Sequence, residues 1–372
     1  MKDLRIEEVE RENSCKTFLD RLEEREKALG LTDAEAIVLS TSRAELYRRL
    51  EVGIGKTPIR ILPLSNGNNL VQKDETRGPA ESHYDRCYLR LLQALEQEGK
   101  ITPGDTLLEV SSGSAGISFA WMCKKLGYRA VLFMPDFIPR PRIEYAQSMA
   151  EVHLNSDRAR YVAACIDDMM AYRAKYKNQV KATGKKIWMP NHSQDTRSPL
   201  AFAEIATEVA SQSPSPIDFF IGGIGNGTTI MGIGGELKKL YPSCKVIGFE
   251  PARACPTLRA NPRLQGKIAP SIDLEQLPAG YEMHDLPGTG GFGDLSFPFI
   301  QQATEEGVID EICAVDERSI LAAYERRYNS ELPTELRQGH TSVVARWIAE
   351  QMAEKVTGKT FMTLVYDRAD RY

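Results

Sequence analysis

The chain has no C-x-x-C pair, and its seven cysteines (15, 87, 123, 165, 244, 255 and 313) are an odd, scattered set. This excludes a disulfide framework as the simplest reading and points to reduced thiols in a cytoplasmic protein. Histidine is scarce: five residues (83, 153, 192, 284 and 340) show no metal-ligand spacing, so no metal site is expected. No apolar run reaches the ~18 residues that a membrane-spanning helix needs. The first residues, Met1 to Glu8, are acidic and lack an apolar core, which speaks against a secretory signal. Neither sign of charge dominates. At a formal net charge of −4, neither nucleic acid nor an anionic membrane is an expected partner. Low-complexity tracts and short-period repeats are missing too. The 372 residues, 42% hydrophobic and 26% charged, have an ordinary globular composition and room for two domains.

What the chain does have is an alternation of short apolar runs and helix-like stretches. Strands are expected at Asn69–Lys73, Thr106–Val110, Ala130–Met134, Glu151–Leu154, Lys186–Met189, Lys245–Pro251 and Thr360–Tyr366. Helical stretches lie between most of them, and residues 252–300 read as loop-rich. Repeated β-α units imply mainly parallel sheets with helices on both faces. Ligands in such folds bind beyond the carboxyl ends of the strands. Residues 1–50 are charge-rich and read as a helical extension, with Phe18, Leu19, Leu22 and Leu29 as an apolar stripe and Thr32 with Glu35 as a capping pair. That extension either packs on the body or a partner subunit, or stays a solvated helix.

Two small-residue loops stand at strand ends. The run Ile217–Gly222 leads into Gly223-Ile224-Gly225-Asn226-Gly227-Thr228-Thr229, and a helix-like run follows from Ile230. Glycines allow a sharp turn and close approach of a ligand to the backbone, and free N–H groups at a helix start favour a phosphate. The loop is not a Walker A motif, because no Gly-Lys-Ser/Thr follows, and it is a poor G-x-G-x-x-G fingerprint. Taken alone, it reads equally well as a tight turn without a ligand. The second loop, Ser111-Ser112-Gly113-Ser114-Ala115-Gly116, follows Thr106–Val110 and offers hydroxyls and N–H groups to a carboxylate.

Several stretches, in order, resemble one family. Ile54-Gly55-Lys56-Thr57-Pro58 is similar to the motif I-G-x-T-P. The segment from Leu70 to Arg86 keeps Lys73, Glu75, Pro79, Ser82, Asp85 and Arg86 of a cofactor-lysine segment. Ser111–Gly116 resembles the loop T-S-G-N-T-G, Met134-Pro135-Asp136 resembles M-P-E, and Gly225–Gly232 resembles G-T-G-G-T-x-T-G. Val246–Pro251 resembles V-x-G-V-E-P, and Asp367 with Asp370-Arg371-Tyr372 resembles the tail D-S-G-x-R-Y. These are motifs of fold-type II pyridoxal-phosphate enzymes, in the cysteine synthase and cystathionine β-synthase branch of the tryptophan synthase β superfamily. The resemblance spans about 54–372. It implies an α/β protein of two three-layer α/β/α domains with mainly parallel sheets. Residues 51–80 plus 186–372 would form the larger domain with the phosphate loop, and 81–185 the smaller one with the carboxylate loop. It also implies pyridoxal 5′-phosphate as cofactor, a small amino acid as substrate and a homodimer.

The departures from the family pattern bear on the chemistry. Where the family has the lysine that forms the Schiff base, this chain reads Ser82-His83-Tyr84-Asp85-Arg86, with Tyr84 in the lysine's place. A phenol cannot form an imine. Ser114 replaces the asparagine that meets the cofactor's phenolic oxygen. Arg368 replaces the serine that meets the pyridine nitrogen. Asn226, Thr228 and Met231 depart from the phosphate loop. Lys73 is read as a strand lysine rather than a replacement Schiff base. Two readings follow. In one, the phosphate binds at Gly225, Asn226, Gly227, Thr228 and Thr229, with Ser114 and Arg368 on the ring. The substrate carboxylate then binds at Ser111, Ser112, Gly113, Ala115 and Gly116, and Tyr84 or His83 supplies acid–base chemistry for β-elimination or β-replacement without the lysine. In the other, the cofactor is lost and the site is a non-catalytic or refitted binder of a small anion or amino acid.

Overall fold

A computed structural model describes residues 17–290 and 297–372. Cys15 and the side chain of Glu35, with it the Thr32–Glu35 capping pair, lie outside the described residues. The other six cysteines are buried and form no disulfide. Among the described residues no helix is long and apolar enough to cross a membrane.

Among the described residues, ten strands form two sheets. They are β1 (Ile59–Pro63), β2 (Asn69–Asp74), β3 (Thr106–Val110), β4 (Arg129–Pro135), β5 (Glu151–Asn155), β6 (Ile187–Trp188), β7 (Phe219–Gly223), β8 (Lys245–Pro251), β9 (Glu311–Val315) and β10 (Thr360–Val365). The larger sheet has the order β1-β2-β10-β7-β8-β9 and the smaller the order β5-β4-β3-β6. Among the described strands, only the β1–β2 pair is antiparallel. β6 pairs with β3, so the smaller sheet reaches past the expected boundary at residue 185.

The larger sheet is apolar on both faces, as a parallel sheet between helices must be. Along β7, Phe219 and Ile221 join one core cluster and Phe220 the opposite one. Phe361 and Met362 split the same way on β10. Period-two alternation here sorts apolar residues between two cores rather than between core and water.

The N-terminal extension packs on the body. Residues 17–29 are helical. Phe18 is fully buried and stacks on Tyr145 with ring centroids 4.1 Å apart. Glu26 accepts from the Trp121 indole at 3.0 Å and pairs with Lys125 at 2.6 Å. Arg21 pairs with Glu81 at 2.7 Å and with Asp370 at 2.6 Å.

At the end of β8, Glu250 is fully buried and accepts from the N–H groups of Thr257 at 3.2 Å and Leu258 at 3.0 Å. Burial outweighs those bonds and pushes its carboxyl up to about 7. A folded-state value above the unfolded one means that stability is fully present below pH ~4, declines as pH rises to about 7, and stays reduced above. Glu250→Gln keeps an acceptor and carries no charge. It should stabilise the protein by up to about 3 kcal/mol near pH 8 and by little near pH 4. Urea unfolding at both pH values checks this, and an equal difference at the two would refute it.

Candidate functional site

The two small-residue loops leave the carboxyl ends of β3 and β7 and face each other across a cavity of about 240 Å³. That volume lies a little below the ~300–1,000 Å³ of common ligand sites. Ser111, Ser112, Gly113, Ser114 and Ala115 line one wall, and Gly225, Asn226, Gly227 and Thr229 line the other. His83 and Tyr84 form the floor, where the helix Tyr84–Gln97 begins. That start is built locally. The Tyr84 N–H donates to Ser82 Oγ at 3.2 Å, and the Ala80 N–H donates to Asp85 at 2.9 Å.

Tyr84 sits in an aromatic nest. Its ring lies 4.3 Å from that of His83 and 5.5 Å, edge-on, from those of Phe202 and His192. Burial holds its phenol well above the usual range. The His83 Nε2 is 3.0 Å from Thr229 Oγ1, while its buried Nδ1 has no partner. Burial pushes this imidazole down to about 3, so it is neutral.

Both loops use their own side chains to satisfy N–H groups. Asn226 Oδ1 accepts from the Thr228 N–H at 3.0 Å, where the helix Thr228–Leu240 begins. Ser111 Oγ accepts from Gly113 at 3.1 Å and from Gly116 at 2.8 Å. Thr228 and Gly116, expected to bind ligand, do not line the cavity. The Thr228 hydroxyl is buried without a partner. Gly227 takes a left-handed φ of 85°, and a Cβ there would come within 2.5 Å of the Ile300 backbone nitrogen. Only glycine fits that turn without a shift.

Arg368 is a correction to the sequence reading. It does not line the cavity; it is buried and pairs with Glu81 at 2.8 Å. A guanidinium near a buried, already ionised carboxylate is drawn there rather than to a ligand ring. The neighbouring Asp367 lines the cavity instead. Its carboxylate accepts from Ser114 Oγ at 2.8 Å, Arg142 Nη2 at 2.9 Å and the Tyr372 hydroxyl at 3.1 Å. Ser114 therefore faces the cavity while engaged by Asp367. Lys73 is also remote from the wall. It is buried on β2 and held by Glu208 at 2.6 Å, by Gln212 at 2.9 Å and by the Thr57 carbonyl. Among the described residues no lysine lines the cavity.

Sequence reasoning missed Arg142, Glu109 and His192 as wall residues. Glu109 left a readable signal, a carboxylate inside the apolar strand Thr106–Val110. Arg142 and His192 left none, because only the packing of distant segments brings them to the cleft.

The sequence model of a family described as pyridoxal-phosphate dependent enzyme matches residues 50–367. A cysteine synthase of Staphylococcus aureus is 28% identical over 326 residues, covering 86% of this chain and 93% of that protein. A cystathionine beta-synthase of Mus musculus is 30% identical over 205 residues, covering 53% of this chain and 36% of that protein. Among solved structures, a hydrogen sulfide-producing enzyme from Fusobacterium nucleatum superposes with a TM-score of 0.69 at 23% identity, covering 87% of this chain and 98% of that one.

Proposed function

We propose, from the premise that the chain belongs to the pyridoxal-phosphate dependent enzyme family, that it acts on a small amino acid with its cofactor held non-covalently. Pyridoxal 5′-phosphate is the cofactor that this membership indicates. Likeness to a cysteine synthase supports an amino acid as substrate and chemistry of the β-elimination or β-replacement type. The observation that carries the proposal is the cavity floor: Tyr84 stands there, and among the described residues no lysine is on the wall.

The fit of the cofactor divides by its two ends. At the phosphate end the residues suit it. The Gly225–Thr229 turn opens a helix, and Gly225, Asn226, Gly227 and Thr229 line the cavity there. At the aldehyde end they offer no amine. Bound there, the cofactor supplies an electron sink for bonds at an amino acid's α-carbon. The chain's part is to hold and orient. Ser112 and Ala115, both on the cavity wall, would receive the substrate carboxylate, and Arg142 brings a buried positive charge that Asp367 balances at 2.9 Å. Tyr84, as a neutral phenol, can donate a hydrogen bond but is not a base.

A second reading, a refitted binder of a smaller anion, is favoured by one specific observation. Asn226 and Ser111 already occupy the N–H groups of Thr228, Gly113 and Gly116. Equilibrium dialysis followed by borohydride reduction and mass spectrometry separates the two. The expected result is about one retained pyridoxal phosphate per chain and no pyridoxyl group on any lysine. No retention would favour the small-anion reading, and a labelled Lys73 would overturn the non-covalent one.

A further inference from the structure

Tyr84 and His83 are ill placed to exchange protons near neutral pH, since burial keeps both neutral. Another wall residue has the geometry for it. His192 is 5% exposed and lies edge-on to the Tyr84 ring. On one side, its Nδ1 is 3.0 Å from the Tyr88 hydroxyl and 3.2 Å from Glu109 Oε2. Tyr88 itself donates to Glu109 Oε2 at 3.3 Å. A phenol has one proton. With that proton on the carboxylate, Tyr88 can only accept from His192, so Nδ1 carries the hydrogen and Nε2 is bare. On the other side, Nε2 is 3.5 Å from Ser193 Oγ, which accepts from Asn226 Nδ2 at 3.0 Å. The bare nitrogen thus lies beside the phosphate-type loop, and Glu109, Tyr88, His192, Ser193 and Asn226 form one chain of hydrogen bonds. A carboxylate that orients the far nitrogen of an imidazole is the general arrangement for a side chain that takes and returns a proton.

We propose that His192 is the proton-transfer group of this cleft, serving where the described lining holds no lysine, with Tyr88 and Glu109 as its positioning residues. This rests on the function proposed above. The proton of the bound amino acid's α-carbon moves to Nε2. The electron pair it leaves stays with the ligand, and the imidazolium is balanced by Glu109. The return step reverses each movement.

Two measurements on the full chain test this. The first needs no cofactor. ¹⁵N-histidine NMR should show His192 as the Nδ1–H tautomer in the wild type, and a mixed or reversed tautomer in Glu109→Gln. An Nε2–H wild type would overturn the assignment. The second is exchange of the α-proton of L-serine into heavy water with pyridoxal phosphate present, with retention of the cofactor measured separately by dialysis. His192→Gln should slow exchange by ~10²–10⁴-fold while retaining cofactor like the wild type. Glu109→Gln, the second variant, should slow it by a smaller factor. Retained cofactor with unchanged exchange in His192→Gln sinks this assignment alone. A wild type that retains no cofactor sinks the function proposed above, and this assignment with it.

Discussion

Treated with pyridoxal phosphate and borohydride, Tyr84→Lys is expected to gain a pyridoxyl group at its new lysine, where the wild type gains none. The change places an amine on the cavity floor between the two loops that line it. The frame around it is already built, with Ser82 receiving the residue's N–H, Asp85 receiving that of Ala80, and Arg86 fixed in an ion cage. A lysine packed against Phe202, His83 and His192 is poorly solvated, and desolvation lowers an amine's pKa and leaves it nucleophilic. The effect is nearly all-or-none, and the variant should also turn yellow with cofactor. A colourless, unlabelled variant with intact circular dichroism would mean that Asn226, Ser114 and Ser111 have rebuilt the cleft for another ligand.

The second large effect is on stability. Arg86 is 1% exposed and binds two carboxylates at once: Glu75 at 2.8 and 2.9 Å, and Glu208 at 2.6 and 2.8 Å. It thereby joins the segment after β2, the helix Tyr84–Gln97 and the helix Arg197–Gln212. Burial works against ionised Glu208, yet Arg86 and Lys73 hold its carboxyl down at about 2. Arg86→Met keeps most of the volume but leaves Glu75 buried and unpaired. Removing one partner of a buried pair costs about 3–5 kcal/mol, and guanidinium chloride unfolding near pH 7 should show a loss of that size. Arg86→Lys should recover only part, because an ammonium cannot bridge two carboxylates in fork geometry. The sign with pH follows from the depressed Glu208. Its contribution is present above pH ~4 and is lost as pH falls towards 2. A loss below about 1 kcal/mol in Arg86→Met would show that the cage is no stronger than a surface pair.

Local pattern carried most of the strands. β3 follows a Pro-Gly turn and β8 ends at Pro251, as their apolar runs indicate, and the loops after β3 and β7 mark the two cavity walls. β9 was not legible. Glu311-Ile312-Cys313-Ala314-Val315 is a short run whose β-branched residues, Ile312 and Val315, do not alternate, and its place is set by pairing with β8. Within the site, Tyr84 and His83 were readable because they interrupt a motif. Arg368 was misread for the opposite reason: the motif gives a position, but the direction of the side chain was decided by Glu81, far away in sequence. Glu81 in turn adopts a left-handed φ of 55° and pairs with Arg21, choices invisible to any local pattern. The capture of loop N–H groups by Asn226 and Ser111 depends on turn geometry that composition alone does not specify.

The place of β10 has a kinetic consequence. Of all the strands it comes latest in the chain, yet it lies between β2 and β7 and pairs in parallel with both. Until residues 360–365 insert, the β1–β2 hairpin and the β7–β8–β9 layer are separate fragments, each with an open ladder edge. Contacts of such long sequence separation close slowly, because loop entropy is lost before pairing repays it. The same insertion delivers Tyr366 and Asp367 to the cleft. Maturation of the binding site is therefore coupled to the slowest topological event in the larger sheet, and partly folded chains carry both an unfinished site and unpaired strand edges prone to self-association.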